Sequence, residues 1–335
     1  MRNLSRRSAG RMLGALCLSP FLTLAGGCAS PSDSPWDHAP GWRSDDARRA
    51  VANNSAAPAD IHRFARAPRT RPNPIVAREG MVRSVMTNER VAALTFDLCE
   101  LETVTTGYDA AVIDYLREEA LPATLFLGGK WMRTHAVRTK QLMTDPLFEI
   151  GSHAWSHGNF GIMDECAMRE QIRWTDAQYA ALRETVMREA KTPEARAAAA
   201  AIPAAMRFFR LPYGRTSELG LRVLADEGFD VIQWSVSGDS VLDMTPEEEG
   251  RATALRVNPG GILLFHANRV PKNAPAILRA TVDTLRRLGY RFASVSTLLT
   301  LGEPFRTHAG YFEMPGDNLD LDGCYGINGT GRKKL

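Results

Sequence analysis

The chain lacks an apolar stretch long enough to cross a bilayer as a helix. Its best candidate, Met12 to Ala25, falls short of the roughly 20 residues that a span needs. It also lacks an excess of one charge. Forty-one Lys and Arg against 38 Asp and Glu leave a formal net charge of +3, too little to argue for a nucleic-acid surface. No Lys/Arg run lies beside stacking aromatics either, so nucleic acid is excluded as a partner. The basic stretch from Arg63 to Arg71 is interleaved with Pro and Ala and reads as a solvated linker. From Ser30 to about Pro74 there is no sustained apolar periodicity, which marks a tether or loosely ordered lead-in. Cysteine is scarce, at five residues.

The N-terminus has the layout of a targeting segment. Arg2, Arg6, Arg7 and Arg11 precede the apolar run, which has the length of a signal h-region. The run ends in Leu24-Ala25-Gly26-Gly27-Cys28. Small residues before a cysteine resemble the bacterial lipoprotein signal, in which that cysteine is lipidated; ordinary cleavage nearby stays open, because Ala25 stands where such signals usually carry Leu. Ser5-Arg6-Arg7 also hints at twin-arginine export. The expectation is a signal peptide over 1–28, then a lead-in over 29–80. The mature protein is expected in the periplasm, or lipid-anchored in the bacterial envelope through Cys28. Cys99, Cys166 and Cys324 remain, enough for one disulfide and one spare thiol, with no pairing fixed by the sequence.

From Val91 short apolar runs alternate with helical patterns, as an α/β sheet or barrel requires. Strands are expected at 91–96, 123–127, 147–150, 207–210, 231–236, 261–265 and 291–293. Helices are expected at 108–119, 132–143, 164–190, 217–227 and 275–288, and an Ala-rich run at 194–201 reads as a surface insertion. These define a domain over 88–302. The remainder, 303–335, is rich in Gly, Asp and Asn and reads as an irregular extension.

Chemically capable residues cluster where the expected strands end, which is where barrels build active sites. Thr95-Phe96-Asp97-Leu98-Cys99-Glu100 closes the first strand. His153 and His157 follow the third. Four apart, they would share one face of a single helical turn and reach one metal ion; on their own they are as well read as residues decorating a turn. Arg210-Leu211-Pro212-Tyr213-Gly214 follows the fourth strand, Ser235 to Asp239 the fifth, and His266 the sixth. Taken singly, Asp97 also admits reading as a cap, Arg210 is more often a surface ion-pair partner, and His266 is as well read as a core histidine.

In this order, over about Val91 to Leu301, the five blocks resemble the polysaccharide deacetylase family, the carbohydrate esterases with the NodB homology domain. That resemblance implies a distorted (β/α)7 barrel and a divalent metal, zinc above all, with cobalt or nickel as alternatives. It implies removal of acetyl groups from N-acetylated sugars of an acetylated polysaccharide or oligosaccharide. By the same resemblance Asp97 is the general base, His153 and His157 are metal ligands and Arg210 pairs with the base. The Tyr213 N–H binds the oxyanion and His266 is the general acid. Two departures stand out. Leu98 occupies the place of the family's metal-binding aspartate, and Glu100 is expected to supply that carboxylate. Ser237 occupies the place of the aspartate that tunes the acid, and Asp239 is expected to take its role. Ala154 also replaces a usual Ser or Thr. A non-catalytic carbohydrate binder on the same fold and an O-acetyl esterase with the same machinery remain the alternatives. No oligomeric state follows from the sequence.

Overall fold

The computed structural model describes residues 80–239, 243–320 and 322–323, together with the backbone of 49–50. The expected signal peptide, Cys28, nearly all of the lead-in and Cys324 lie outside the described residues. No described helix is long and apolar enough to cross a membrane.

One sheet dominates, formed by β1 (Met81–Met86), β2 (Val91–Leu98), β3 (Ala123–Leu127), β4 (Phe148–Ser152), β5 (Phe208–Phe209), β6 (Asp230–Val231), β7 (Val236–Ser237), β8 (Gly261–His266), β9 (Arg291–Phe292) and β10 (Glu303–Thr307). The ladder runs β10-β1-β8-β2-β3-β4-β5-β6, with β7 paired to β8 and β9 to β2. From β8 to β6 the strands are parallel, while β1 and β10 are antiparallel to their neighbours. The sheet curls back on itself where Val82 bridges Ile232 and Gln233 N–H donates to Val82 O at 2.8 Å. The result is the distorted barrel that the resemblance implied.

Strand β2 shows how the sequence builds it. All eight of its residues are buried, as a strand covered on both faces requires. Val91 and Ala93 pack with Val82, Phe126, Phe208, Ile262 and Leu264 inside the barrel. Ala92, Leu94, Phe96 and Leu98 pack outward against helix residues such as Val112, Ile113, Leu278 and Val282. Successive side chains of a strand point to opposite faces, so odd positions of β2 face inward and even positions face the helices.

The helical layer contains α1 (Ala110–Glu118), α2 (Gly129–Thr134), α3 (Ala136–Thr144), α4 (Glu165–Glu189), α5 (Pro193–Ala201), α6 (Glu218–Asp226), α7 (Pro246–Leu255) and α8 (Ala274–Arg287). Asp109, Asp164, Ser217 and Thr245 cap α1, α4, α6 and α7 by accepting from backbone N–H groups of the first turn, each such cap contributing about 1 kcal/mol. The helix expected over 132–143 is two helices broken at His135. Helix α7 was not expected: its buried residues are Glu249, Gly250, Thr253 and Ala254, too small and polar for an apolar stripe.

Both ends of the expected domain shift. β1 begins at Met81, before the boundary set at 88, and β10 lies in the stretch read as irregular. The two pair with each other, so each hid the partner that makes the other a strand.

Candidate active site

The site lies at the C-terminal ends of the parallel strands. Asp97 and His266 are register partners on adjacent strands β2 and β8, about 4.8 Å apart along the ladder. Asp97 is buried, and Arg210 holds its Oδ1 at 3.1 Å while His153 Nε2 lies 3.3 Å from Oδ2. Arg210 is itself fully buried inside the barrel. Its Nη1 also donates to Thr95 Oγ1 at 2.7 Å, Nε to Ile232 O at 3.2 Å and Nη2 to Gln233 O at 3.1 Å. The guanidinium lies 4.1 Å from the Phe126 ring centroid. A charge so enclosed is tolerable only when paired and hydrogen-bonded, and Asp97 supplies the opposite charge.

His266 has its own carboxylate. Asp239 Oδ1 lies 3.0 Å from His266 Nδ1, and Asp239 Oδ2 accepts from the His266 backbone N–H at 2.7 Å. Burial alone would lower the imidazole pKa; the Asp239 charge and hydrogen bond, helped by Asp97, outweigh it, and the net shift is upward. Gly238 makes this reach possible, because a Cβ there would meet the Phe265 ring at 2.4 Å. Ser237, at the family's usual aspartate position, instead offers its carbonyl to Arg256 Nη2 at 2.6 Å.

His153 and His157 do come together, with ring centroids 4.8 Å apart, but not on a helical turn. Residues 153–157 form an irregular loop in which Ala154 (φ 62°) and His157 (φ 59°) take left-handed backbone conformations. Such residues cost about 1–2 kcal/mol each and persist where surroundings over-determine them. Gln171 of α4 provides that constraint. Its Oε1 accepts from the N–H groups of Trp155 and Ser156, both at 2.9 Å, and its Nε2 donates to Ser156 Oγ at 3.0 Å. His153 Nδ1 meets Arg210 O at 2.9 Å, which fixes the ring and turns Nε2 towards Asp97. Burial first, and the neighbouring imidazoles second, push the His157 pKa well down; burial also lowers that of His153.

Tyr213 sits in the turn Pro212–Gly214 with φ 57°, and its ring packs edge-on to His157 with centroids 4.2 Å apart. The segment after β10, read as irregular, braces this turn. Asn318 Nδ2 donates to Tyr213 O at 2.8 Å, and Tyr311 N–H donates to Gly214 O at 3.0 Å. Arg215 Nη1 donates to Asn318 Oδ1 at 2.9 Å and Arg215 Nε to Asp322 Oδ1 at 2.9 Å. A Cβ on Gly214 would lie 1.9 Å from Tyr311 O.

Glu100 is a correction: the structure does not bring it to the histidines. It shares the even-numbered, helix-facing side of the chain with Leu98. Its Oε1 accepts from Thr106 N–H at 3.2 Å and its Oε2 from Thr134 Oγ1 at 2.9 Å. Lys130 Nζ and His135 Nε2 lie 3.7 and 3.6 Å away. The residue beside the histidines is Cys99, on the inward side with Asp97. One donor atom each from Cys99, His153 and His157 falls within 4.8 Å of the others. Cys99 is a free, buried thiol, and strand alternation counted from Asp97 rather than from Leu98 would have found it. Burial, then the charges of Asp97 and Glu100, raise its pKa well above the ordinary thiol value.

Residues 84–232 match the family model described as polysaccharide deacetylase. Over this stretch the chain is similar to the polysaccharide deacetylase family. The match takes in Asp97, His153, His157, Arg210 and Tyr213, and stops short of Asp239 and His266. A peptidoglycan-N-acetylglucosamine deacetylase of Bacillus cereus is 26% identical over 231 residues, covering 68% of this chain and 70% of that protein. Among solved structures, a peptidoglycan N-acetylglucosamine deacetylase shares the fold with a TM-score of 0.54 at 22% identity, over 69% of this chain and 97% of that one. A family pseudoenzyme from Bacillus anthracis shares it with a TM-score of 0.51 at 20% identity, over 65% and 68%. The deacetylase fold is therefore common to proteins with and without activity, and the local residues must carry the argument. Polysaccharide deacetylases generally use a divalent metal, and the donor set here suits one. Two imidazoles kept unprotonated by burial stand beside a thiol and a carboxylate, and His157 Nδ1 is buried with no hydrogen-bond partner.

Proposed function

We propose that this chain is a metal-dependent hydrolase that removes acetyl groups from N-acetylated amino sugars of a cell-envelope or extracellular polysaccharide. The observation that carries this reading is the register match of Asp97 with His266. It sets a carboxylate held by Arg210 across from an imidazole held by Asp239, with His153 and His157 alongside. A base and an acid are thus poised on either side of one position, as amide hydrolysis demands.

His153 and His157 would hold a divalent cation, zinc by preference and cobalt or nickel as substitutes, which supplies Lewis acidity at the acetyl carbonyl and acidifies nearby water. Asp97 then accepts a proton from the attacking water, whose oxygen bonds to the carbonyl carbon. Arg210 fixes the carboxylate and balances its charge. The Tyr213 N–H, at the tip of its braced turn, donates to the oxygen on which negative charge develops. His266 gives its proton to the sugar nitrogen as the carbon–nitrogen bond breaks, leaving acetate and a free amine. The Asp239 charge and hydrogen bond, which raise its pKa against the effect of burial, favour the protonated form that an acid needs. Export to the periplasm, or attachment through a lipid on Cys28, would place this chemistry beside envelope glycans.

The test is acetate release from peptidoglycan, chitin oligomers and exopolysaccharide, before and after chelation and after re-addition of zinc, cobalt or nickel. Asp97→Asn is expected to cut release by about 10²–10⁴-fold with the circular-dichroism spectrum unchanged; full residual activity would refute the assignment. Release that ignores chelators would overturn the metal. The same pseudoenzyme fold makes carbohydrate binding without catalysis the second reading, and glycan binding with no acetate release from any substrate would select it. Preference for O-acetylated glycans would make the same machinery that of an esterase.

A further inference from the structure

We propose that Cys99 is the third protein ligand of the metal, which makes this a thiolate–imidazole–imidazole centre. The proposal rests on the metal-dependent reading above and deepens it. Three observations carry it.

Placement comes first. The inward parity of β2 runs Val91, Ala93, Thr95, Asp97 and then Cys99, so the sulfur emerges on the same side as the base. It falls with one donor atom each of His153 and His157 inside a spread of 4.8 Å, close enough for modest side-chain rotation to bring all three onto one ion.

The competing carboxylate is spent elsewhere. Glu100 is fully buried and gives both oxygens to Thr106 and Thr134, with Lys130 and His135 close by. Turning it towards the histidines would strand the buried Lys130 ammonium. Leu98 belongs to the apolar cluster under the helices. Glu100 therefore acts as a peg: by fastening the even side of the chain outward, it points the odd side, and Cys99, into the site.

The sulfur also has the surroundings of a ligand. Asn268, two residues beyond His266, places Nδ2 3.7 Å from Cys99 Sγ and donates to Cys99 O at 3.2 Å. Thr106 Oγ1 donates to the same carbonyl at 2.7 Å. Polar groups that orient a ligand and donate to it are characteristic of metal sites. Gly128 leaves the room, since a Cβ there would press on Cys99 Cα at 3.3 Å. A cation at this point displaces the thiol proton, because a coordinating thiol is bound as thiolate. One sulfur and two nitrogens favour zinc or cobalt over the harder cations that a carboxylate accepts.

Cobalt reads this directly. The metal-free protein is titrated with Co2+ and its absorption recorded. A sulfur-to-cobalt charge-transfer band in the near ultraviolet is expected, saturating with the visible bands of the bound ion. Cys99→Ser should abolish that band and weaken binding by about 100-fold or more, since even outer-shell losses cost 10–100-fold. Cys99→Asp should recover binding without the band. Glu100→Gln, which keeps one acceptor on the outward side, should keep the band and lose far less affinity than Cys99→Ser. Wild-type protein that binds cobalt without the band, with Cys99→Ser unaltered in affinity, overturns the ligand while leaving a metal-dependent deacetylase standing. Loss of the metal in Glu100→Gln with retention in Cys99→Ser overturns it in favour of the carboxylate. Failure of the wild type to bind cobalt, together with chelator-insensitive acetate release, overturns both readings at once.

Discussion

Asp97 with Arg210 and Asp239 with His266 form two carboxylate–base pairs, the first buried and the second half-buried. Cys99, His153 and His157, only a few ångströms away, are three groups that burial holds neutral: the thiol pKa is raised and both imidazole pKa values are lowered. Charge has been settled inside the protein in the first group and deferred in the second. Neutral sulfur and nitrogen donors gathered at one point make a receptor for a positive ion, whereas paired carboxylates and bases make a proton relay. The two groups join at one atom pair, His153 Nε2 and Asp97 Oδ2, 3.3 Å apart.

Removing the relay while sparing the receptor is the sharpest way to test this division. His266→Ala is expected to lower kcat by about 10²–10⁴-fold while Co2+ affinity stays within a few-fold of wild type. An equal loss of metal would show that the two groups are one unit. The framework beneath the receptor should behave in the opposite manner. Glu100→Ala takes from the buried Lys130 its main counter-charge, leaving only the weaker influence of Glu102, which costs about 3–5 kcal/mol, a drop of about 10 °C in Tm for a domain of this size. Thermal melts of the metal-free protein check it; a melt unchanged from wild type would show that Lys130 is adequately solvated by the carbonyls of Leu101 and Val104 alone.

A gentler change separates charge from shape within the relay. Asp239→Asn keeps a hydrogen-bonding group beside His266 but removes the negative charge that raises its pKa. The other charged or titratable groups acting on His266 are Asp97, which also raises it, and Arg210, which lowers it. An acid must be protonated to act, so activity is present below the His266 pKa and lost as pH rises through it. The alkaline limb of kcat/KM should therefore move to lower pH in Asp239→Asn, with about a tenfold loss near neutrality. A limb that stays in place would assign it to another group.

How much of this was legible in advance depends on whether neighbours along the chain or across space fix a residue. β2, β3 and β8 were readable because each is a short apolar run whose residues are buried whatever they pair with. β1 and β10 were not, since their mixed polar and apolar residues show no strand period and are held as strands by pairing distant in sequence, β10 on β1 across more than two hundred residues and β1 also on β8. In the site, Asp97, Arg210 and His266 could be read because each ends a strand. The period of two also places Cys99 on the inward side with Asp97, whereas Glu100 shares the parity of Leu98 and so faces the helices. Gln171 carried no signal: a glutamine inside a 25-residue helix gains meaning only when the loop at 155–156 folds over it.

The smallest expected effect tests whether the segment after β10 belongs to the relay or merely covers it. Asn318 is buried and joins Tyr213 O to Arg215, which is anchored in turn by Asp322. Asn318→Ala removes two hydrogen bonds from a turn held at a positive φ, a loss of about 1–2 kcal/mol in stability. If the turn positions the Tyr213 N–H for the developing oxyanion, kcat should fall about three- to tenfold with KM little changed, because that contact strengthens only as charge develops. Asn318→Asp, which keeps an acceptor for Arg215 but not the donor to Tyr213 O, should resemble the alanine variant in kcat while retaining more stability. A matched fall in stability with no change in kcat would reduce the segment to a cover. A change in kcat alone would extend the proton-handling half of the site beyond the barrel, into a stretch whose composition looked like an unstructured tail.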